Sequence, residues 1–218
     1  MTLEIKLEKT MKKTKIDLNT FDRRFAYNNF INFDNPYVTI VCEVDITNLV
    51  NYTKTHKNFY HSMCYLVMKA MNKVRNFGYR FINGEVYHCE NVGIGPVGRT
   101  EDNNIFFYHG PYTDTLQEFL EKTEEYKQLV LSGKNEQTEE TQQEIYVSCF
   151  PWIKMTALSV PVTKSGQNPQ VIWDKFETKD GKTTINLFVY AHHSFCDGLH
   201  IAQFFDEFEK LEKEFPNI

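Results

Sequence analysis

A domain of mixed strands and helices, α/β in class, is what this sequence predicts, and three observations predict it. At 218 residues the chain is most simply one domain over 1–218, long enough for a substantial core. Residues 37–44, with Val38, Thr39, Ile40 and Val41, are rich in β-branched types, and residues 185–190 form an apolar run of strand type. Two stretches, 59–74 and 112–131, repeat apolar residues at helical spacing.

In chain order, residues 1–15 are charged and weakly patterned, which predicts a peripheral start. Residues 28–36 hold four asparagines, Asp34 and Pro36, and read as a loop. The strand over 37–44 follows. Asp45, Ile46 and Thr47 then mark a helix start capped by Asp45 or Thr47. In the helix over 59–74, Phe59, Met63, Leu66, Val67, Ala70, Met71 and Val74 share a face and are assigned to the core. Residues 79–82 and 85–88 flank Asn83-Gly84, a two-residue hairpin signal. A further strand is placed at 105–108. The second helix, 112–131, turns Leu116, Phe119, Leu120, Tyr126, Leu129 and Val130 inward and its glutamates to solvent. Residues 132–144 are polar and read as an exposed connection. Asp180-Gly181 is a turn into the strand at 185–190. The last helix is read with Leu199, Ala202, Phe205, Phe208 and Leu211 on one face.

Composition excludes several classes. A hydrophobic content of 41% with 24% charged residues is that of a soluble globular protein. A net charge of -5 argues against a general nucleic-acid binder, though not against a local basic patch for a phosphorylated cofactor. The five cysteines, Cys42, Cys64, Cys89, Cys149 and Cys196, are odd in number and fit no disulfide or metal spacing. Reduced thiols in a cytoplasmic protein are the expectation. No apolar stretch of signal-peptide type opens the chain and none approaches membrane-spanning length.

The chemistry concentrates where the strand at 185–190 stops and the last helix has yet to begin. His192 and His193 are adjacent there, and Asp197-Gly198 follows, implying a tight turn. A strand end places a side chain rigidly, and a turn exposes it. A neutral imidazole accepts a proton near pH 7, so His193 is a candidate general base if its ring is held. Taken singly, each histidine is as well explained as an ordinary surface or core residue. A metal site built from His193, Cys196, Asp197 and His200 is the other reading, but their spacing matches no zinc pattern.

The pattern His-His-x-x-x-Asp-Gly at a strand end resembles that of the chloramphenicol acetyltransferase family, trimeric enzymes that move an acetyl group from acetyl-CoA to a hydroxyl. Dihydrolipoyl acyltransferase catalytic domains and peptide-synthetase condensation domains share the motif. The former need a lipoyl domain and a subunit-binding segment for which this chain has no room. The latter are about twice as long on domain-size grounds. The resemblance runs from about Lys15 to Leu211. It implies an α+β type two-layer sandwich, the CoA-dependent acyltransferase fold, with a mixed, mostly antiparallel sheet.

The resemblance also implies roles. Phe21, one residue, then Arg23 and Arg24 match the family's opening segment, in which the first arginine pairs with the motif aspartate; here Arg23 would pair with Asp197. Ser148, three residues before Pro151-Trp152, matches the serine that stabilises the oxyanion, on a strand close to the catalytic histidine. Lys175 and Phe176 match a lysine and aromatic near the CoA moiety, and Trp152 joins them as a cofactor-binding candidate. Phe30 and Tyr37 are candidates for the acceptor pocket. Three departures stand out: Ile172 replaces a threonine that orders water near the transition state, Asp174 replaces a glycine, and Ile153-Lys154-Met155-Thr156 replaces an aromatic, serine-rich segment.

The implied activity is acetyl-CoA-dependent acetylation of a small hydroxylated acceptor, chloramphenicol first, by a cytoplasmic homotrimer with active sites at its subunit boundaries. Neither a metal, a nucleic acid nor a membrane is expected as a partner. Two alternatives stay open: a related O-acyltransferase with another acceptor, and a non-catalytic binder of CoA or a small molecule. Retention of His193, Asp197, Ser148 and Arg23 together argues against the binder.

Overall fold

The computed structural model describes residues 11–56, 58–134, 142–161 and 167–218. In chain order the elements are β1 (Lys12–Lys15), α1 (Arg24–Phe30), β2 (Tyr37–Asp45), α2 (Thr47–His56), α3 (Phe59–Lys73), a 3₁₀ turn (Arg75–Gly78), β3 (Tyr79–Ile82), β4 (Glu85–Glu90), β5 (Ile94–Arg99), β6 (Ile105–Phe107), α4 (Leu116–Leu131), β7 (Ile145–Cys149), β8 (Gln170–Trp173), β9 (Glu177–Lys179), β10 (Lys182–His192) and α5 (Gly198–Glu214).

The main sheet runs β2-β10-β8-β7-β5-β6, with β9 also paired to β10. β10 is antiparallel to β2, β8 and β9. The β7–β8 and β5–β7 pairs are parallel, so the sheet is mixed and mostly antiparallel, as expected. Pairing of β2 with β10 extends from Thr184↔Asp45 to His192↔Tyr37. A second, three-stranded sheet has the order β1-β4-β3.

β10 reads as a near-continuous apolar run because both its faces are covered. Ile185, Leu187, Val189 and Ala191 face the main core with Met63, Leu66, Val67, Phe204 and Phe208. Phe188 and Tyr190 face the other way, into a small cluster with Met155 and Ile172. α3 is buried from His61 to Met68 without a break, which makes it the central helix of the helical layer.

Local chemistry sets the boundaries. Asn83 and Gly84 both take positive φ, at 52° and 85°, and close the β3–β4 hairpin. Asp180 and Gly181 do the same for β9–β10 at 51° and 80°. Asp45 Oδ1 accepts from the Thr47 amide at 2.9 Å and from its hydroxyl at 2.6 Å, opening α2. Buried Glu212 reaches the same helix start, where Oε1 accepts from Asn48 N at 2.7 Å.

Several sequence expectations are corrected. Residues 12–15 are not merely peripheral: all four are exposed, yet their backbone pairs with β4. The loop predicted from residue 28 begins later, because α1 runs to Phe30. α4 starts at Leu116, not 112, since the Thr115 side chain accepts from Glu118 N and sets the cap. The connection over 132–144 is not exposed throughout: Gln143 and Glu144 are buried, and Glu144 bonds His109. Residues 135–141 of that stretch lie outside the described residues. α5 is rotated from the predicted face. Leu199 is 65% exposed and Ala202 also faces solvent, while Ile201, Phe204, Phe205 and Phe208 are buried. Both stripes contain Phe205 and Phe208, so spacing alone does not separate them.

Candidate active site

The main chain leaves the sheet after His192. His193 N turns to donate to Pro36 O at 2.7 Å, ahead of β2. The next turn is tight: Phe195 N and Cys196 N both donate to His192 O at 2.9 Å. Asn76 of the 3₁₀ turn donates through Nδ2 to Phe195 O at 2.8 Å and braces it from behind.

The tight turn therefore lies at residues 193–195, ahead of Asp197-Gly198, where the sequence suggested it. Asp197 is extended, with φ -137° and ψ -172°, and is the N-cap of α5. Its Oδ1 accepts from Leu199 N at 3.0 Å. Burial acts to raise the Asp197 pKa, but the Arg23 bond and the neighbouring His200 outweigh it, and the carboxyl sits below its usual range.

His193 is half-buried and held on several sides. Its Nδ1 lies 2.8 Å from Cys196 O. A carbonyl oxygen only accepts, so Nδ1 carries the proton and Nε2 keeps its lone pair. The Phe30 ring stacks on the imidazole with centroids 4.1 Å apart and planes 19° apart. Arg23 Nη1 bonds Asp197 Oδ2 at 2.6 Å, and Nη2 donates to His193 O at 3.2 Å. One guanidinium thus joins the histidine turn to the cap of α5. A ring fixed in tautomer and plane, with a free nitrogen, has what a general base requires.

The neighbours of His193 differ from it chemically. His192 is buried, and burial pushes it down to about 4, with His193 adding to the effect. It is neutral at pH 7. Burial pushes the Cys196 thiol up, which leaves it a poor nucleophile. Tyr37 lies edge-on to His192 with centroids 5.9 Å apart, and its hydroxyl donates to Asn168 O at 3.4 Å. Among the described residues, no three His, Cys, Asp or Glu side chains stand where they could hold a metal ion. No described helix is long and apolar enough to cross a membrane.

The remaining predicted site residues lie on β7 or follow β7 and β8. Ser148 lies on β7 and pairs with Ile172 on β8, which pairs in turn with Phe188 on β10. Phe188 precedes His193 by five residues, and β8 stands between the two strands. Strand rise and strand spacing then separate Ser148 from His193 by roughly 15–20 Å. Within one protomer the serine and the histidine thus stand apart, with β8 between their strands. Trp152 follows the end of β7, and Lys175 and Phe176 follow the end of its neighbour β8. Trp152 is 63% exposed beneath the Arg99 guanidinium, 5.3 Å from its ring centroid. Lys175 is exposed, and its amide donates to Ile153 O at 3.0 Å. The exposed Phe176 packs on Phe59, with ring centroids 5.6 Å apart.

Sequence reasoning had Phe30 near the acceptor but not its stack on His193. It gave no sign of the Cys196 carbonyl that sets the tautomer. Backbone acceptors leave no trace in residue type, so no signal could have identified it. The three departures all sit in one place. Ile172 and Met155 pack together in the small apolar cluster, and Asp174 is buried beside them.

The chain is similar to known proteins over most of its length. Residues 11–209 match the family model described as chloramphenicol acetyltransferase. The chloramphenicol acetyltransferase of Staphylococcus aureus is 24% identical over 216 residues, covering 91% of this chain and 95% of that protein. A solved chloramphenicol acetyltransferase superposes with a TM-score of 0.77 at 21% identity, covering 91% of this chain and 99% of the other. A probable dihydrolipoamide acetyltransferase from Listeria monocytogenes superposes at 0.67 with 13% identity, covering 91% and 95%. At such identities the superpositions speak to the fold.

Proposed function

The chain belongs to the chloramphenicol acetyltransferase family, and from that premise we propose that this acetyltransferase moves the acetyl group of acetyl-CoA directly to a hydroxyl of chloramphenicol. His193 Nε2 takes the proton of the acceptor hydroxyl as the oxygen attacks the thioester carbonyl. The tetrahedral oxyanion receives a hydrogen bond from Ser148. Collapse breaks the carbon–sulfur bond, and the CoA thiolate recovers the proton from His193. The observation that carries this reading is the 2.8 Å bond of His193 Nδ1 to Cys196 O, which leaves Nε2 free to act.

Arg23 and Asp197 hold the turn and exchange no proton with substrate. Phe30 keeps the imidazole in plane, and Tyr37 stands with it on the acceptor side. Lys175 neutralises a CoA phosphate, while Phe176 and Trp152 supply aromatic surface to the cofactor. The separation of Ser148 from His193 supports a site completed by a second copy in a homotrimer. There His193 of one subunit meets Ser148, and an acceptor pocket built largely by its neighbour. The enzyme works in the cytoplasm, where its co-substrate is made.

A second reading keeps the chemistry and changes the acceptor. The apolar packing of Met155 and Ile172, where the family pattern is polar, favours a differently shaped hydroxylated acceptor. Chromatography of acetylated product, with chloramphenicol run beside other hydroxylated compounds, separates the two readings. Chloramphenicol ester formed at the highest kcat/KM supports the first, and a better ester of another acceptor supports the second.

A further inference from the structure

Asp174 is 2% exposed, and its side chain is fully enclosed. A buried carboxylate is costly unless its oxygens are satisfied, and here they are. Oδ1 accepts from Asn186 N at 2.8 Å. Oδ2 accepts from Met155 N at 3.0 Å and from Asn186 Nδ2 at 2.9 Å. Lys154 Nζ lies 3.6 Å from Oδ1. Asn186 Nδ2 donates in addition to Met155 O at 2.8 Å.

The two side chains therefore hold both backbone groups of Met155, the amide on Asp174 and the carbonyl on Asn186. They do for this segment what a neighbouring strand would do. Main-chain bonds lace the rest of it: Phe150 N donates to Trp173 O at 2.9 Å, and Lys175 N donates to Ile153 O at 3.0 Å. The Met155 side chain closes the lacing by packing on Ile172, Phe188 and Tyr190. Residues 150–155, with Trp152 among them, are thus fixed against the end of β8 and the link after it that carries Lys175 and Phe176. Neither the proton transfer nor the oxyanion needs a carboxylate at this place.

We propose that Asp174, acting with Asn186, is a positioning residue for CoA-thioester binding, because the two clamp the Met155 backbone and so hold the segment that carries Trp152 beside Lys175, whose amide donates to Ile153 O. The inference rests on the assignment of Lys175, Phe176 and Trp152 to the cofactor.

The test uses the full chain and acetyl-CoA itself, with Asp174→Ala, Asp174→Asn, Asn186→Ala and Lys175→Ala. Tryptophan fluorescence gives binding, steady-state turnover gives kcat and KM, and circular dichroism establishes folding. Each clamp variant is expected to raise the dissociation constant and KM for acetyl-CoA about 5- to 20-fold, with kcat within about threefold. Asp174→Asn should behave like the alanine variant, since its amide has one acceptor oxygen where three donors converge. The double variant Asp174→Ala/Asn186→Ala should lie within about threefold of Asp174→Ala, because the pair acts as one unit. If Asp174→Ala fails to fold, Asn186→Ala, which keeps the carboxylate on Met155 N, carries the test. Unchanged acetyl-CoA binding in the folded clamp variants, or a loss confined to kcat, overturns the inference. If Lys175→Ala binds acetyl-CoA as the wild type does, the cofactor assignment falls and the inference falls with it. If Lys175→Ala binds more weakly and the clamp variants do not, only the inference falls.

Discussion

Arg23 Nη1 and Asp197 Oδ2, in residues 174 positions apart in the chain, meet at 2.6 Å. The same guanidinium donates to His193 O, and the same carboxylate caps α5. One pair therefore joins the start of α1, the histidine turn and the last helix. Arg23→Met should lower stability by about 1–2 kcal/mol, less than a fully buried pair would give, because Asp197 is about a third exposed. Turnover should fall about 10- to 100-fold while acetyl-CoA still binds. The carboxyl is depressed in the folded state, so its contribution is present above its unfolded pKa near 4 and is lost as pH falls through the folded value. Thermal unfolding at pH 7 and pH 3, with turnover on the same samples, checks this. Wild-type turnover in the variant would contradict the positioning role.

Subunit mixing tests the shared site. His193→Ala and Ser148→Ala each disable a different group, and within one protomer those groups lie roughly 15–20 Å apart. If each site takes its histidine and its serine from different subunits, co-refolding the two inactive variants rebuilds intact sites. Random mixing at equal amounts makes about a quarter of the sites wild type. Activity should rise well above either variant alone, since Ser148→Ala by itself should cost about 10²-fold. A mixture no more active than the mean of its parts would place both groups in one subunit.

Acid sensitivity follows from neutral buried histidines. His61 bonds the Tyr108 hydroxyl at 2.8 Å. Burial first, and then Lys127, hold it down to about 4. His192 is held at about 4 as well, by burial and His193. An unfolded histidine titrates near 6.5. Between these values the unfolded chain binds more protons, so stability is full above about pH 6.5 and declines toward pH 4. By pH 5 each histidine costs on the order of 1–2 kcal/mol. Urea unfolding at pH 5, 6 and 7 should show the decline, and His61→Gln should reduce it. A pH-independent midpoint across that range would contradict the assignment.

The parts legible in the sequence were those where residue type alone decides. Asn83-Gly84 tolerates positive φ, so the hairpin could be placed to the residue. β-branched types fixed β2, and spacing fixed α3. β1 was illegible because its four exposed residues carry no alternation, and only pairing with β4 makes it a strand. The face of α5 depended on its cap and on packing against α3, which two overlapping apolar stripes could not settle. In the site, His193, Asp197 and Arg23 were legible as a motif. The tautomer was not, because it is set by a main-chain carbonyl. Asp174 could be read only as a departure, since its donors are backbone amides and a distant asparagine.

The central claim is that His193 is the base for acetyl transfer, and release of free CoA thiol from acetyl-CoA tests it most directly. The assay is run with and without chloramphenicol, on wild type and on His193→Ala that still binds acetyl-CoA. The account predicts drug-dependent thiol release in the wild type, reduced about 10²- to 10⁴-fold in the variant. Undiminished drug-dependent release from folded His193→Ala would contradict it.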